Sequence, residues 1–257
     1  EPLRATLIAR FFDGLSVEQI AARDGVPVET VRTRQKRGLQ RLRERMLPSG
    51  ASAVALQGDG KLVLVGTVND NPGVLAVARL NADGSLDPGF SGDGRLLIPS
   101  TLGGSKETTS HDVQLQSDGK ILVAGTRGAY PGYSLFVARL LPDGSLDSGF
   151  SVGGQFGSIY SEEGYGVAVQ PDGAILLVGN SVGSTTYLRV TRLTPAGQAD
   201  NSFGTFGVFQ TLAGGMHAVA RDILILPDGR LIVAGYVIPT GNLPAQILLL
   251  RLTTAGA

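Results

Sequence analysis

The chain of 257 residues contains no cysteine and no tryptophan, and it has only two histidines. The absence of cysteine excludes disulfide bonds and thiolate metal sites, and it leaves the redox compartment open. No apolar run approaches the roughly 20 residues of a membrane-spanning helix, and no signal segment is visible. Because the first residue is Glu1 rather than methionine, we expect the sequence to be part of a longer one.

Charge is balanced over the chain, with 22 basic and 22 acidic residues, but it is unevenly distributed. Residues 1–50 hold ten Lys and Arg against six Asp and Glu, whereas the remainder is acidic and holds most of the 37 glycines. Such opposed halves indicate two domains, the first with an anionic partner. We place an all-α domain at residues 1–47, a short linker at 48–52 and a second domain at 53–257.

The first domain reads as three helices. Apolar residues recur at helical spacing up to Asp13, and Ser16 with Gln19 three residues later forms a capping box for a short second helix. After Gly25, a longer basic helix is predicted over residues 28–46. A short helix, a tight turn with glycine and a longer basic helix follow the order of a helix-turn-helix.

The third predicted helix has a packing stripe that includes Val31 and an open side that carries polar and basic residues. Its excess of basic side chains gives a strong local field for phosphate. The predicted DNA-binding residues are Glu29, Thr30, Arg32, Thr33, Lys36, Arg37 and Gln40. The alternative interpretation is a basic helix that is merely solvated.

Residues 12–21, 25–34, 37–39 and 42–43 resemble region four of bacterial sigma factors, and the extracytoplasmic-function group in particular. The resemblance implies a helix-turn-helix that reads an upstream promoter element and contacts RNA polymerase. Gln35 and Gly38 depart from the family pattern, which usually has an apolar residue and an alanine there. The sigma region that melts the promoter is not part of this sequence.

From residue 53 the chain repeats one pattern four times. Asp-Gly pairs that begin at residues 59, 118, 172 and 228 each stand between two apolar runs, which is the strongest short-range hairpin signal. In the first unit, a third run and a fourth, shorter one follow the hairpin. Four short strands in a repeat of about 53–60 residues predict all-β propeller blades, with three complete units and a truncated fourth.

Some polar positions return in each unit, where an arginine closes the third run and an aspartate follows eight residues later. The predicted structural pairs are Arg79 with Asp87, Arg139 with Asp147 and Arg192 with Asp200. Because the set repeats, we interpret it as a charge pair that ties a turn, with the phenylalanine three residues further on as a plug between blades. A calcium site at residues 83–87 fails on spacing, since Pro88 and Gly94 stand where the loop needs Gly and Glu.

Residues 140–147, 170–173 and 201–204 resemble the delta-sixty repeat, a bacterial family of tandem units that form β-propellers. The resemblance covers residues 53–257 and implies little about activity. Members of that repeat family often look exported, whereas sigma domains act in the cytoplasm. We expect a cytoplasmic location on the strength of the first domain.

No catalytic constellation is visible in the repeats, so we expect no enzymatic activity, no cofactor and no metal site. His111 and His217 are interpreted as loop residues between units. Glu162 and Glu163 form a lone acidic pair that solvation explains.

The favoured function is a DNA-binding, sigma-factor-like module fused to a propeller that binds an unknown protein or ligand. The alternative is a non-enzymatic, exported propeller interaction protein in which the helix-turn-helix is a fusion or a vestige. An enzyme with its site at the propeller mouth has no candidate acid, base or nucleophile. Because the fourth unit lacks its aspartate and phenylalanine, we expect further units in the natural protein and self-association of this chain.

Overall fold

The computed structural model describes residues 15–34, 51–68, 74–98, 108–128, 132–213, 217–239 and 244–257. In the first of these ranges, helix α1 spans Val17–Asp24 and helix α2 covers residues 28–34. The predicted helix before Asp13 and the predicted DNA-binding residues Lys36, Arg37 and Gln40 lie outside the described ranges. In the part described, no helix is long and apolar enough to cross a membrane.

Local chemistry sets both ends of α1. The Oγ of Ser16 accepts the N–H of Gln19 at 3.2 Å, and the Oε1 of Gln19 accepts the N–H of Ser16 at 2.7 Å, which completes the capping box. The helix ends at Gly25, whose φ of 64° is a left-handed conformation that glycine adopts without steric cost. The turn that follows brings Ile20 and Val31 into one small apolar core.

Fifteen strands follow in the described residues, and all of their pairings are antiparallel. Their bounds are β1 Ala51–Leu56, β2 Leu62–Val68, β3 Val74–Leu80, β4 Arg95–Ile98, β5 Thr108–Leu115, β6 Ile121–Arg127, β7 Ser134–Leu140, β8 Gln155–Gly157, β9 Glu162–Val169, β10 Ile175–Ser181, β11 Leu188–Leu193, β12 Val208–Thr211, β13 His217–Ile225, β14 Leu231–Ile238 and β15 Gln246–Leu252.

The strands form four sheets, one for each repeat, in which sequential strands are neighbours. Blade 1 holds β1–β4, blade 2 holds β5–β8, blade 3 holds β9–β12, and the described part of blade 4 holds β13–β15. The Asp-Gly pairs lie in the turns between the first two strands, where Gly60 donates its N–H to Gln57 at 2.9 Å in blade 1. The mainly β architecture of propeller-type blades predicted from the sequence is confirmed, although blade 4 has only three strands in the described residues.

The first strands of successive blades lie side by side. Strand β5 contacts both β1 and β9, and β9 in turn contacts β13. Because the first strand is also one edge of its own sheet, these four strands form the inner edge of the array, as they do around the axis of a propeller.

Apolar side chains fill the space between successive blades. In β6, Ile121 and Val123 pack in one cluster with blade 1, whereas Leu122 and Ala124 pack in another with blade 3. A sheet that is stacked between two neighbours needs apolar residues on both of its faces. The core of the array therefore consists of layers between blades.

One repeated contact, here called the blade latch, joins each blade to the next. In blade 2, the Nε of Arg139 donates to Asp147 Oδ2 at 2.8 Å, and its Nη1 donates to the carbonyl of Pro195 in the next repeat. The same guanidinium lies 4.4 Å from the ring centroid of Phe150, which permits a cation–π contact. The equivalent residues are Arg79, Asp87 and Phe90 in blade 1 and Arg192, Asp200 and Phe203 in blade 3, with Nε–Oδ2 distances of 2.6 and 2.8 Å.

Candidate functional site

Each first strand contains a β-bulge near its start. The pairing of β5 with β6 skips His111, which lies between the paired residues Ser110 and Asp112. The same one-residue skip leaves out Ser52 in β1, Tyr165 in β9 and Arg221 in β13. A bulge leaves its extra residue outside the ladder and re-aims its side chain.

The glycine opposite the bulge is required by it. A β carbon on Gly125 would lie 1.9 Å from the carbonyl oxygen of Thr109, and a β carbon on Gly235 would lie 2.0 Å from that of Val219. No side chain fits at such a distance, so only glycine allows the two strands to approach. Both glycines lie inside the second strand of their blade, in β6 and β14.

The bulged residues of blades 2, 3 and 4 meet at the inner edge of the array. The rings of His111 and Tyr165 are 5.1 Å apart between centroids and are inclined by 59°. The guanidinium of Arg221 lies 3.9 Å from the centroid of Tyr165, and its Nη2 donates to the hydroxyl of Tyr236 at 3.1 Å. We call these residues, with two polar neighbours, the axial cluster: His111, Glu163, Tyr165, Asn180, Arg221 and Tyr236.

A carboxylate and an amide lie beside Tyr165. Its hydroxyl donates to Glu163 Oε2 at 2.6 Å, and the Nδ2 of Asn180 is 3.4 Å from the same carboxylate oxygen. Asn180 is buried, and its Oδ1 has no hydrogen-bond partner among the described residues. Buried polar atoms normally have a partner, so this oxygen is an exception among the described residues.

Burial and neighbouring charges set the protonation states of the cluster. Burial, and then the charge of Arg221, lower the pKa of His111 against an opposing effect of Glu163. The imidazole is therefore neutral at neutral pH, and one of its nitrogens is an acceptor. Burial, and then the hydrogen bond to Glu163, raise the pKa of Tyr165, so its hydroxyl remains a donor.

Asp112 joins two blades beside the cluster. Its Oδ1 accepts the N–H of Val113 at 2.8 Å, and its Oδ2 accepts the N–H of Val167 in blade 3 at 2.9 Å. Burial raises the pKa of Asp112 and the charge of Asp222 adds to this, while the two backbone donors act to lower it. Both carboxylate oxygens of Asp112 therefore accept backbone N–H groups, and the bond from Val167 joins blade 2 to blade 3.

Sequence reasoning assigned the histidines and the acidic pair incorrectly. His111 lies in β5, and His217 is the first residue of β13, where its Nδ1 accepts the N–H of Thr186 at 2.9 Å. Both histidines are therefore strand residues. Glu162 is buried in an ion pair with Arg189, so solvation does not explain it.

Tyr165, Arg221 and Tyr236 were not among the predicted site residues. A signal for two of them exists in the sequence, since Tyr165 and Arg221, like His111, stand seven residues before the aspartate of their hairpin. The chemistry of that position changes from unit to unit, whereas the blade latch does not change. Among the described residues, no group of three or more His, Asp or Glu is placed to hold a metal ion.

The described part of the predicted DNA-binding surface lies on α2. Glu29, Arg32 and Thr33 are exposed, Thr30 is partly buried, and Val31 is buried. Arg32 and Glu29 form an exposed ion pair across one turn.

Two family models match the chain. Residues 3–44 match Sigma-70, region 4, and residues 57–90, 116–150 and 170–203 match a domain of unknown function (DUF5122) described as a beta-propeller. The two-part resemblance predicted from the sequence is confirmed. A comparison with curated proteins found no match.

Several solved structures resemble the chain at low identity. A protein of unknown function from Dyadobacter fermentans has 14% identity and a TM-score of 0.47, over 81% of this chain and 66% of its own. The Cellvibrio cellulosa alpha-L-arabinanase, solved with arabinohexaose, has 12% identity and a TM-score of 0.46, over 84% and 77%. The family 43 glycoside hydrolase YxiA of Bacillus licheniformis has 15% identity and a TM-score of 0.46, over 78% and 56%. The chain thus spans less than two thirds of the first and third of these proteins.

The prediction that the chain is not an enzyme is contradicted by these comparisons, because the similar structures are mainly arabinanases and other glycoside hydrolases, at 11–15% identity. Likenesses this distant transfer no reaction and no residue role. The premise of the prediction also fails, because His111, Glu163 and Tyr165 lie together in the axial cluster. Candidate acids and bases are therefore present at the inner edge of the blades.

Proposed function

We propose that the propeller blades bind a neutral, hydroxyl-rich ligand of the saccharide class at the axial cluster. The observation that carries this proposal is a contrast between equivalent positions of the repeats. The blade latch has the same residues in blades 1, 2 and 3, whereas the bulged position holds Ser52, His111, Tyr165 and Arg221. Because the latch is constant and the bulged position is not, we take the bulged position to be the one that carries a function in this array.

The charges of the cluster favour a neutral ligand. Arg221 carries a positive charge, while Glu163 and Asp222 carry negative charges nearby, and His111 is neutral. An anion would be attracted by Arg221 and repelled by the carboxylates, and a cation would meet the reverse. A hydroxyl group can donate to a carboxylate and accept from a guanidinium, so a ligand with several hydroxyls satisfies both.

The aromatic groups favour a ligand with apolar ring faces. The guanidinium of Arg221 lies 3.9 Å from the ring centroid of Tyr165 and 5.4 Å from that of Tyr236, and the ring of His111 packs on Tyr165. Binding sites combine such apolar walls with a few convergent polar groups. A sugar ring presents C–H faces to aromatic side chains and hydroxyls at its rim, which fits both features.

Isothermal titration calorimetry with neutral oligosaccharides of pentoses and hexoses, and with oligouronates of matched length, tests the proposal. We expect a neutral oligosaccharide to bind and Arg221→Gln to weaken its binding at least tenfold. Arg95→Gln, on the exposed edge strand β4, is the matched control and should bind as the unchanged chain does. No binding of any neutral oligosaccharide, or stronger binding of the oligouronates, would overturn the proposal.

A second function concerns the first domain. We infer that this domain binds promoter DNA and RNA polymerase as a sigma-factor-like module fused to the propeller. The match of residues 3–44 to Sigma-70, region 4 supports this, and so does the exposed surface formed by Glu29, Arg32 and Thr33 on α2. Because Arg32 is held by Glu29 in the free chain, a base contact requires that this exposed pair open.

Fluorescence anisotropy with labelled promoter fragments tests DNA binding. Arg32→Ala should cost about 1–3 kcal/mol at one base position, since a bidentate arginine contact distinguishes bases by that amount. Lys36→Ala and Arg37→Ala should weaken binding to every sequence and flatten its salt dependence. Arg230→Ala, an exposed arginine of blade 4, is the control. Equal binding by the unchanged chain and by the triple variant at Arg32, Lys36 and Arg37 would contradict the inference.

A further inference from the structure

Arg127, the last residue of β6, is a buried arginine that has no counter-charge among the described residues. It is 7% exposed, and its Nη1 has no hydrogen-bond partner in the described part of the chain. The ring centroid of Phe136 lies 5.9 Å from the guanidinium, which is near the limit of a cation–π contact. Burial lowers the pKa of Arg127, but a guanidinium stays protonated in proteins. A buried charge without a partner is costly, so this one requires an explanation.

The side chain of Arg127 lies between blades 1 and 2. Because side chains alternate along a strand, Arg127 shares one face of β6 with Ile121 and Val123, which pack with blade 1. Phe136 belongs to the same apolar cluster as Leu75 of blade 1. The guanidinium therefore stands at the end of an apolar layer between two blades.

Blade 3 has an equivalent place, and there the first strand supplies a carboxylate. Arg127 lies opposite Thr108 in the ladder of blade 2. In blade 3, Ser181 lies opposite Glu162, and each of these pairs lies two residues beyond the glycine that faces the bulge. Thr108 and Glu162 therefore occupy equivalent positions, and both are buried, at 3% and 1% exposure.

The carboxylate of Glu162 pairs with a guanidinium of its own blade, that of Arg189. Arg189 occupies the position of Phe136, since each lies opposite the glycine of its second strand. In blade 2 the guanidinium is on the second strand instead, and the residues paired with Arg127, namely Thr108 and Ser134, carry no charge. Blade 2 thus has one half of a charge pair that blade 3 has complete. We call Thr108, Arg127 and Phe136 the blade 2 niche.

We propose that the blade 2 niche binds a small monocarboxylic acid with an apolar body, whose carboxylate pairs with Arg127 as Glu162 pairs with Arg189. The planar fork of a guanidinium matches the two oxygens of a carboxylate. The apolar surroundings of Phe136 favour a single charge, because a dianion such as phosphate loses more hydration when it enters such a site. The niche does not include any residue of the axial cluster, so this proposal does not depend on the proposed function.

Isothermal titration calorimetry of residues 1–257 with sodium hexanoate, hexanamide and inorganic phosphate tests the proposal. We expect hexanoate to bind, and both hexanamide and phosphate to bind more weakly by about tenfold or more. Arg127→Met should weaken hexanoate binding by a similar factor. Because this substitution removes an unpaired buried charge, it should leave the melting temperature unchanged or raise it. Arg95→Gln, on the exposed edge strand β4, is the control and should bind hexanoate as the unchanged chain does.

Thr108→Glu supplies the missing carboxylate from within the chain, at the position that Glu162 occupies in blade 3. It should weaken hexanoate binding by about tenfold or more, because Arg127 is then already paired. Thr108→Gln has nearly the same shape without the charge, so Thr108→Glu should melt at a higher temperature than this matched control.

Four results would overturn the proposal. They are no binding of hexanoate by the unchanged chain, binding of phosphate or hexanamide as tight as that of hexanoate, undiminished binding of hexanoate by Arg127→Met, and equal melting temperatures for Thr108→Glu and Thr108→Gln.

Discussion

The ring of Phe150 lies against Gly197 of the following repeat, where a β carbon would come within 2.6 Å of Cε2. Gly197 also has a φ of +81°, a region that side chains rarely adopt. The same relationship joins Phe90 to Gly144 and Phe203 to Gly256. The plug phenylalanine of each blade is therefore seated in the next blade, on a turn that only glycine can form.

Gly197→Ala should destabilise the blades for two separable reasons. The left-handed conformation costs about 1–2 kcal/mol for a side chain, and the collision with Phe150 adds roughly 1–3 kcal/mol of overpacking. Gly92→Ala is the matched control, since Gly92 has a φ of +88° and open space around it. Urea unfolding should show a larger loss for Gly197→Ala than for Gly92→Ala. Equal losses would show that the ring does not press on the turn.

Asp147→Asn should be costly because it removes one partner of a mostly buried ion pair. The side chains of Arg139 and Asp147 are 8% and 12% exposed, and the loss of the carboxylate leaves the guanidinium uncompensated. We expect a loss of about 3 kcal/mol in the free energy of unfolding. Asp228→Asn removes an exposed pair with Arg230 and should leave that free energy unchanged within error. Similar results for the two variants would contradict the assignment of the blade latch.

The blade latch also predicts how acid affects stability. Burial acts to raise the pKa of Asp147, but hydrogen bonds from the Gly149 N–H and the charge of Arg139 hold it below the usual 3.8. Folding therefore favours the ionised carboxylate, so its contribution is present above pH 3.8 and is lost as pH falls through the folded-state pKa. Melting temperatures of the unchanged chain should drop more steeply below pH 4 than those of Asp147→Asn. Parallel curves would contradict this.

The lowered pKa of His111 predicts a second loss of stability, at a higher pH than the loss that Asp147 causes. Burial and the charge of Arg221 lower its pKa in the folded chain from the usual 6.5, against the effect of Glu163. Between 6.5 and the folded-state value, only the unfolded chain takes up the proton, so stability declines as pH falls through this window. The change in melting temperature from pH 7.5 to pH 5.5 should be smaller for His111→Asn. A His111 pKa at or above 6.5, measured from its ring protons by NMR, would contradict the prediction.

The repeats made much of the blade architecture predictable, because each feature recurs at a fixed place in the unit. Each unit contains an Asp-Gly turn and an apolar second strand. The ion pair of Arg79 with Asp87 also forms within one unit. The direction of Phe90 and of the Arg79 Nη1 was not predictable, because their partners belong to the next unit. A repeat pattern states what each unit contains, and it does not state which neighbour a side chain reaches.

The axial cluster was missed because a bulge is invisible in a pattern of alternating residues. One extra residue shifts the register after Ser110, and His111 then reads as a loop residue before a strand. Its proximity to Tyr165 and Arg221 depends on three first strands that meet at one edge, although the residues lie in separate repeats. Only the stacking of blades brings them together.

Chemical-shift mapping of the ¹⁵N-labelled chain during titration with a neutral oligosaccharide tests the central claim most directly. The account predicts that the largest shifts fall on the bulges, at Ser110 to Asp112, Gly164 to Gly166 and Ala220 to Asp222. In Arg221→Gln, these shifts should need at least tenfold more oligosaccharide. Shifts confined to the outer strands, or shifts at the bulges that Arg221→Gln leaves unchanged, would contradict it.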